Sequence, residues 1–163
     1  MCVHFSSKTD IEAPTEFVYS VLSDFEGWER AAMRRGADVS RTDKLRQPGV
    51  GMGWTVRFRF RGKDRNLSIG LVTLDPEAKL AFKAEGKLIE ANLVLDLMSL
   101  APKRTRLSFS VEVSPKTLGA RLLLQSVKLA KTKVQMRLNK RMEQLATDIE
   151  VRYASSRKPQ QGR

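Results

Sequence analysis

The chain has 163 residues, of which 41% are hydrophobic and 29% charged, a composition typical of one folded domain rather than a disordered chain. Its single cysteine, Cys2, and single histidine, His4, exclude an internal disulfide and a Cys/His metal cluster. A catalytic site of the Cys-His or Ser-His-Asp kind would depend on these two residues near the N-terminus. The first residues lack the pattern of a signal peptide, and no stretch is apolar enough to span a bilayer, so we expect a cytoplasmic protein.

Basic residues are concentrated at the C-terminal end. The formal net charge is +12, and residues 116–163 carry 12 basic and 3 acidic side chains, or +9. Such a segment attracts nucleic acid, an anionic membrane or an acidic protein, or it forms a solvated helix face.

One strand and two short helices are predicted at the N-terminal end. Apolar and polar residues alternate from Phe5 to Glu12, which is typical of a strand. Pro14 then begins a first helix, and Asp24 is the expected N-cap of a second that ends near Arg35. On this second helix we expect Trp28 and Met33 to be buried.

The pattern changes to a period of two after Ala37 and predicts six further strands in an antiparallel meander. In the strand that begins at Trp54 the apolar side chains alternate with Thr55, Arg57, Arg59 and Arg61, so one face is apolar and the other basic. A further arginine, Arg65, lies just past the following turn. The apolar face continues on the later strands, and the acids of these strands are expected to point to solvent.

A helical period returns from about Thr117 to Tyr153 and predicts one continuous helix about 50 Å long. A single apolar stripe follows its length. Residues 154–163 are polar and are expected to form a disordered tail beyond a single domain of residues 1–153.

This order of elements predicts an α+β helix-grip fold. A seven-stranded curved antiparallel sheet would wrap around the long C-terminal helix, with the two short helices between strands 1 and 2. Further marks lie at Ile11 to Tyr19, Leu22 to Asp24, Trp28, Pro48 to Gly51 and Thr105 to Leu107. Through these residues the sequence resembles the START-like superfamily, also called SRPBCC, which includes polyketide cyclases, coenzyme Q-binding proteins and the birch pollen allergen. The resemblance covers about residues 3 to 153.

The resemblance implies a cavity between sheet and helix that holds a sterol, lipid, quinone or polyketide. We therefore expect a non-catalytic protein that binds or transports a hydrophobic small molecule or lipid. No cofactor or metal is expected. The expected lining residues of the sheet side and the helix are Trp28, Trp54, Phe58, Phe60, Ile69, Phe82, Leu95, Phe109, Val127, Val134 and Leu138.

An enzyme of the polyketide cyclase or dehydratase type is the first alternative. It would need an ionisable residue that faces the cavity, and the sequence offers Arg41 or Asp43 if the short strand before Pro48 runs in the other register.

An interaction module is the second alternative. Leu118, Leu122, Leu129 and Met136 form a second apolar stripe opposite the first, and basic residues flank it. This arrangement is typical of a helix that lies on an anionic membrane or an acidic partner. Alternatively, Leu118 and Leu122 tuck under loops and leave only two apolar residues exposed. The expected contact residues are Arg121, Leu122, Lys128, Leu129, Lys133 and Met136.

Nucleic acid is not an expected partner. An exposed surface that binds nucleic acid combines aromatic side chains with basic ones, whereas the aromatic residues of the arginine-rich strand fall on its opposite face.

Overall fold

The computed structural model describes residues 2–157 and contains seven strands and four helices within that range. Their bounds are β1 (Val3–Ile11), α1 (Thr15–Leu22), α2 (Phe25–Arg34), β2 (Asp38–Arg41), β3 (Gly53–Phe60), β4 (Lys63–Asp75), β5 (Lys79–Glu85), β6 (Ile89–Ala101), β7 (Arg104–Pro115), α3 (Leu118–Leu129) and α4 (Lys131–Ser156).

The strands form one antiparallel sheet in the order β1-β7-β6-β5-β4-β3-β2. Strands β1 and β2 are therefore at opposite edges, and α1 and α2 connect them across one end of the sheet. The seven strands, the two short helices between β1 and β2 and the long helix at the C-terminal end confirm the predicted helix-grip architecture.

The short helices begin and end where the sequence predicts. The Asp24 side chain accepts a hydrogen bond from the Gly27 backbone N–H at 3.2 Å and so caps α2. Gly36, just after α2, has φ of 93°, a left-handed conformation that glycine adopts without strain.

The C-terminal segment is not the single continuous helix that the sequence predicts. Helix α3 ends at Leu129, Ala130 has φ of −95° and ψ of 23°, and α4 restarts at Lys131 with 26 residues. The apolar stripe is weakest at this point, because Ala130 presents one methyl group and Lys131 is charged. No large apolar side chain anchors the helix there, and the two parts pack on different strands, α3 on β7 and α4 on β1.

Helix α4 also extends further than predicted. Its last three residues, Ala154 to Ser156, belong to the segment expected to be a disordered tail. The prediction for residues 158–163 lies outside the described residues. None of the described helices is long and apolar enough to cross a membrane.

The core lies between the sheet and α4. Its largest fully buried residues include Ile11, Leu71, Leu80, Leu107 and Ile149. A second, smaller buried cluster of Val3, Phe5 and Leu124 lies beneath α3. Two polar contacts fix α4 on the sheet edge: the Ser7 hydroxyl donates to Asn139 Oδ1 at 2.8 Å, and the Gln135 side-chain amide donates to the Ser6 carbonyl oxygen at 2.8 Å.

Candidate functional site: the concave face of the sheet

The concave face of the sheet is apolar and only partly covered. The helices pack chiefly on β1 and β7, so many inward side chains of the other strands are half-buried rather than buried. Among the predicted lining residues, the half-buried ones are Phe58, Ile69, Phe82, Leu95, Phe109, Val127, Val134 and Leu138. Phe60, at the end of β3, is 44% exposed. We call this half-covered surface the groove.

One end of the groove is closed by a packed aromatic cluster. The ring centroids of Phe25 and Trp54 are 5.5 Å apart, and each lies 6.3 Å from that of Phe82. Trp54 is buried, and its indole N–H donates to Glu29 Oε1 of α2 at 2.6 Å. Trp54 therefore forms the closed end, together with Phe25, which the sequence analysis did not include.

Trp28 does not have the predicted buried position. Its side chain is 43% exposed, and its indole N–H donates to the Leu22 carbonyl oxygen at 3.1 Å. Met33 is exposed as well. The expectation that both are buried is wrong, because α2 turns Phe25, Glu29 and Ala32 toward the rest of the protein instead.

The open end of the groove lies between the β3–β4 hairpin, the β5–β6 hairpin and the start of α3. The strand pairing determines which elements meet at this end, because β6 begins where β7 ends, with Ile89 opposite Pro115. The β3–β4 turn has a left-handed Arg61 and Gly62, with φ of 53° and 76°. The Arg61 guanidinium lies 5.6 Å from the Phe60 ring centroid.

An arginine faces into the groove near this open end. Arg65 pairs with Phe58 across the β3–β4 hairpin, and it shares a face of β4 with Leu67, Ile69 and the fully buried Leu71. From the sequence, Arg65 is predicted only to lie just past the turn. The period-two alternation that places Leu67 and Ile69 on the inward face extends by two residues to Arg65. The sequence therefore contains the signal for the inward direction of Arg65.

The two ionisable residues that the sequence analysis put forward for catalysis bind each other. Arg41 Nε donates to Asp43 Oδ2 at 2.8 Å, and the Arg41 guanidinium lies 5.7 Å from the Trp54 ring centroid. Asp43 also accepts backbone hydrogen bonds from Gly53 at 2.8 Å and Leu45 at 2.9 Å. The Arg41 guanidinium and these N–H groups hold the pKa of Asp43 far below its usual range. Asp43 is therefore ionised at neutral pH and anchors the loop before β3.

We expect Asp43→Asn to lower the thermal unfolding temperature at neutral pH by about 2–4 °C, because the amide cannot replace the carboxylate in this network. The low pKa of folded Asp43 means that its stabilising effect is complete above the unfolded-state pKa of about 3.9 and is lost as the pH falls further. The unfolding temperatures of the variant and the wild type should therefore converge below about pH 4. Circular dichroism melts across this pH range test the prediction, with Asp38→Asn on β2 as an exposed control. A constant difference at all pH values would contradict it.

Two surface depressions lie outside the groove. One, of about 510 Å³, is lined by Met33, by Val39 and by outward residues of β2, β3 and β4. The other, of about 360 Å³, lies against Glu12 and the β6–β7 turn. The candidate site is thus an open surface between sheet and helices, and these depressions do not contribute to it.

The second apolar stripe of the C-terminal segment is exposed over its whole length. Leu118 is 73% exposed, Leu122 60%, Leu129 92% and Met136 67%. The alternative in which Leu118 and Leu122 tuck under loops is therefore wrong. The basic residues predicted to flank the stripe, Arg121, Lys128 and Lys133, are exposed too.

Comparisons with known proteins identify the fold. No protein-family model matches the sequence, and no curated protein matches it. Among solved structures, the chain is similar to the Zhui aromatase/cyclase from Streptomyces sp. R1128, with 15% identity, a TM-score of 0.65, and coverage of 93% of this chain and 96% of that one. It is also similar to norcoclaurine synthase from Thalictrum flavum, solved in complex with dopamine and hydroxybenzaldehyde, with 12% identity, a TM-score of 0.63, and coverage of 98% and 90%.

A START superfamily protein from Mycobacterium smegmatis is similar as well, with 13% identity, a TM-score of 0.55, and coverage of 82% and 95%. The chain therefore has the START-like helix-grip fold, which confirms the resemblance drawn from its sequence. At these identities the likeness establishes the fold and leaves the function to be argued from the groove.

Proposed function

We propose that this protein binds a hydrophobic small molecule or lipid in the groove, as a non-catalytic carrier or sensor. The observation that carries the proposal is the incomplete burial of inward aromatic side chains. Phe58, Phe82 and Phe109 are half-buried and Phe60 is exposed, although all four belong to the concave face. Apolar surface left in contact with water at a concave site favours an apolar ligand, because each square ångström removed from water contributes about 25 cal/mol.

The proposed ligand lies between the aromatic cluster at the closed end and the two hairpins at the open end. Its contacts on the sheet are Phe58, Phe60, Ile69, Phe82, Leu95 and Phe109. Val127, Val134 and Leu138 contribute from α3 and α4. Trp54 forms the floor of the closed end, and we leave out Trp28 because it is exposed and bonded to α1.

The cyclase alternative gains little support from the groove. A proton-transfer mechanism needs an inward group that exchanges a proton near neutral pH. Asp43 is held ionised by Arg41, and an arginine such as Arg65 keeps its proton in proteins. Binding without chemistry therefore accounts for these side chains better.

The binding proposal predicts that protein purified from cells carries its ligand. In native mass spectrometry we expect a species heavier than the polypeptide, which returns to the polypeptide mass after extraction with organic solvent. The extract should contain the released apolar molecule. A polypeptide mass alone, both directly from cells and after incubation with a total lipid extract, would contradict the proposal.

A second candidate function is supported by a separate observation, the exposed apolar stripe on α3 and the start of α4. We propose that this stripe docks on an anionic membrane surface. From Leu118 to Met142 the chain has seven basic residues and no acidic one. The ion pairs found within residues 2–157 involve none of these seven. Free positive charge beside exposed leucines complements a surface with negative head groups and an apolar interior.

A further inference from the structure

The guanidinium of Arg65 has an unusual environment. Its Nε is shielded from solvent and has no hydrogen-bond partner, and it is the one such buried side-chain nitrogen or oxygen among the described residues. Buried polar groups in proteins almost always have partners, so this N–H is an exception that the polypeptide itself does not satisfy.

The strands that line the groove provide no carboxylate on this face, and Glu29 of α2 is bonded to Trp54 at the closed end. The inward positions of β3 to β6 carry apolar residues, apart from Lys63 and Arg65 on β4 and Ser99 near the end of β6. Two acids of the neighbouring strand positions belong to the outer face: Asp64 precedes Arg65 in β4, and Glu85 bonds to Lys116 Nζ at 2.7 Å. Arg65 is therefore a cation directed into an apolar groove, without the ion pair that normally accompanies one.

The position of Arg65 gives the groove one charged end and one apolar end. Arg65 lies near the open end, next to Phe58 and Leu67, whereas the aromatic cluster of Phe25, Trp54 and Phe82 closes the other end. A molecule that satisfies both ends has an apolar body at the closed end and an acceptor at the open end. A single guanidinium matches the charge and the planar shape of one carboxylate, which can accept from the two terminal nitrogens together.

We propose that Arg65 anchors the head group of the ligand, and that the ligand is a monocarboxylate with a long apolar body, such as a fatty acid. This inference rests on the proposed binding function of the groove. The carboxylate accepts from the terminal nitrogens of Arg65, which unlike Nε are not closed off from solvent, and the chain covers the half-buried Phe58, Phe82 and Phe109.

Calorimetric titration with dodecanoate and dodecanol tests the inference, because the two molecules share a chain and differ in the head group. We expect the wild type to bind dodecanoate about tenfold more tightly than dodecanol, which is about 1.4 kcal/mol. Arg65→Gln should remove this preference, so that dodecanoate and dodecanol bind with similar affinity. Arg59→Gln, on the outer face of the same hairpin, removes the same charge and should keep the preference.

The outcomes separate the two proposals. If dodecanol binds but dodecanoate has no advantage, or if Arg65→Gln and Arg59→Gln have equal effects, the anchor is wrong and the groove still binds apolar molecules. If neither compound binds the wild type, both proposals fail. Arg65→Lys provides a second variant in case Arg65→Gln does not fold: it keeps the charge without the planar donor pair and should retain only part of the preference.

Discussion

Wild-type protein is expected to sediment with vesicles that contain phosphatidylglycerol at low salt, to do so much less at high salt, and to bind pure phosphatidylcholine vesicles weakly. Each basic residue near an anionic surface contributes about 1 kcal/mol, and salt screens that attraction. Leu122 and Leu129 are exposed beside Arg121 and Lys128, so they are placed to insert between head groups while the charges hold the helix at the surface.

Changing Leu122 and Leu129 together to Ser should weaken binding to anionic vesicles at least tenfold. Full transfer of one leucine side chain from water contributes about 1.5–3 kcal/mol, so even partial insertion of two reaches this figure. Because both residues are exposed, the variant should unfold at the wild-type temperature. A matched control, Val72→Ser with Met98→Ser, removes two exposed apolar residues from the sheet and should bind as the wild type does.

Equal vesicle binding by the Leu122/Leu129 variant and the wild type would contradict the membrane proposal. So would a wild type that binds no anionic vesicle at any salt concentration. The stripe would instead be the contact surface for a protein partner if no variant binds vesicles and the Leu122/Leu129 variant loses the binding of the wild type to an acidic protein.

The sequence is sufficient to predict the sheet because each strand has its own local signal. Alternation with a period of two places Trp54, Phe82 and Leu107 on one face without any tertiary information. The antiparallel order then follows from the short turns between successive strands. In the same way, Asp24 and Gly36 bound α2 through local capping chemistry.

The features that the sequence did not predict depend on tertiary packing. Neither proline nor glycine marks the break at Ala130, which reflects the packing of α3 and α4 on different strands. On α2, hydrophobicity favours Trp28 as the buried residue. The fold buries Phe25 instead and uses Glu29 to bind Trp54, a contact between elements that are distant in the sequence.

For the concave site, the sequence predicts which side chains are apolar and inward but not how deeply each is buried. The apolar lining follows from alternation, whereas the degree of its burial depends on which strands the helices cover. Arg65 shows the difference. Its inward direction follows from the period of β4, but its missing hydrogen-bond partner is a property of the assembled groove.

The central claim is that the groove binds an apolar molecule, and blocking the groove should abolish this. Leu67 is half-buried and inward on β4, so the larger ring in Leu67→Trp would occupy the space proposed for the ligand. Ser68→Trp places the same ring on the exposed outer face and is the matched control. Phe60→Ser, at an exposed groove position, is a second variant that removes contact area without packing strain.

Titration with Nile red, a neutral dye whose fluorescence rises in apolar surroundings, is the most direct measurement. The wild type should bind it, and Leu67→Trp should bind at least tenfold more weakly, a difference of about 1.4 kcal/mol. Phe60→Ser should weaken binding to a smaller extent. Ser68→Trp and the Leu122/Leu129 variant should bind as the wild type does, which separates the groove from the exposed stripe. No binding by the wild type, or equal binding by a folded Leu67→Trp, would contradict the proposal.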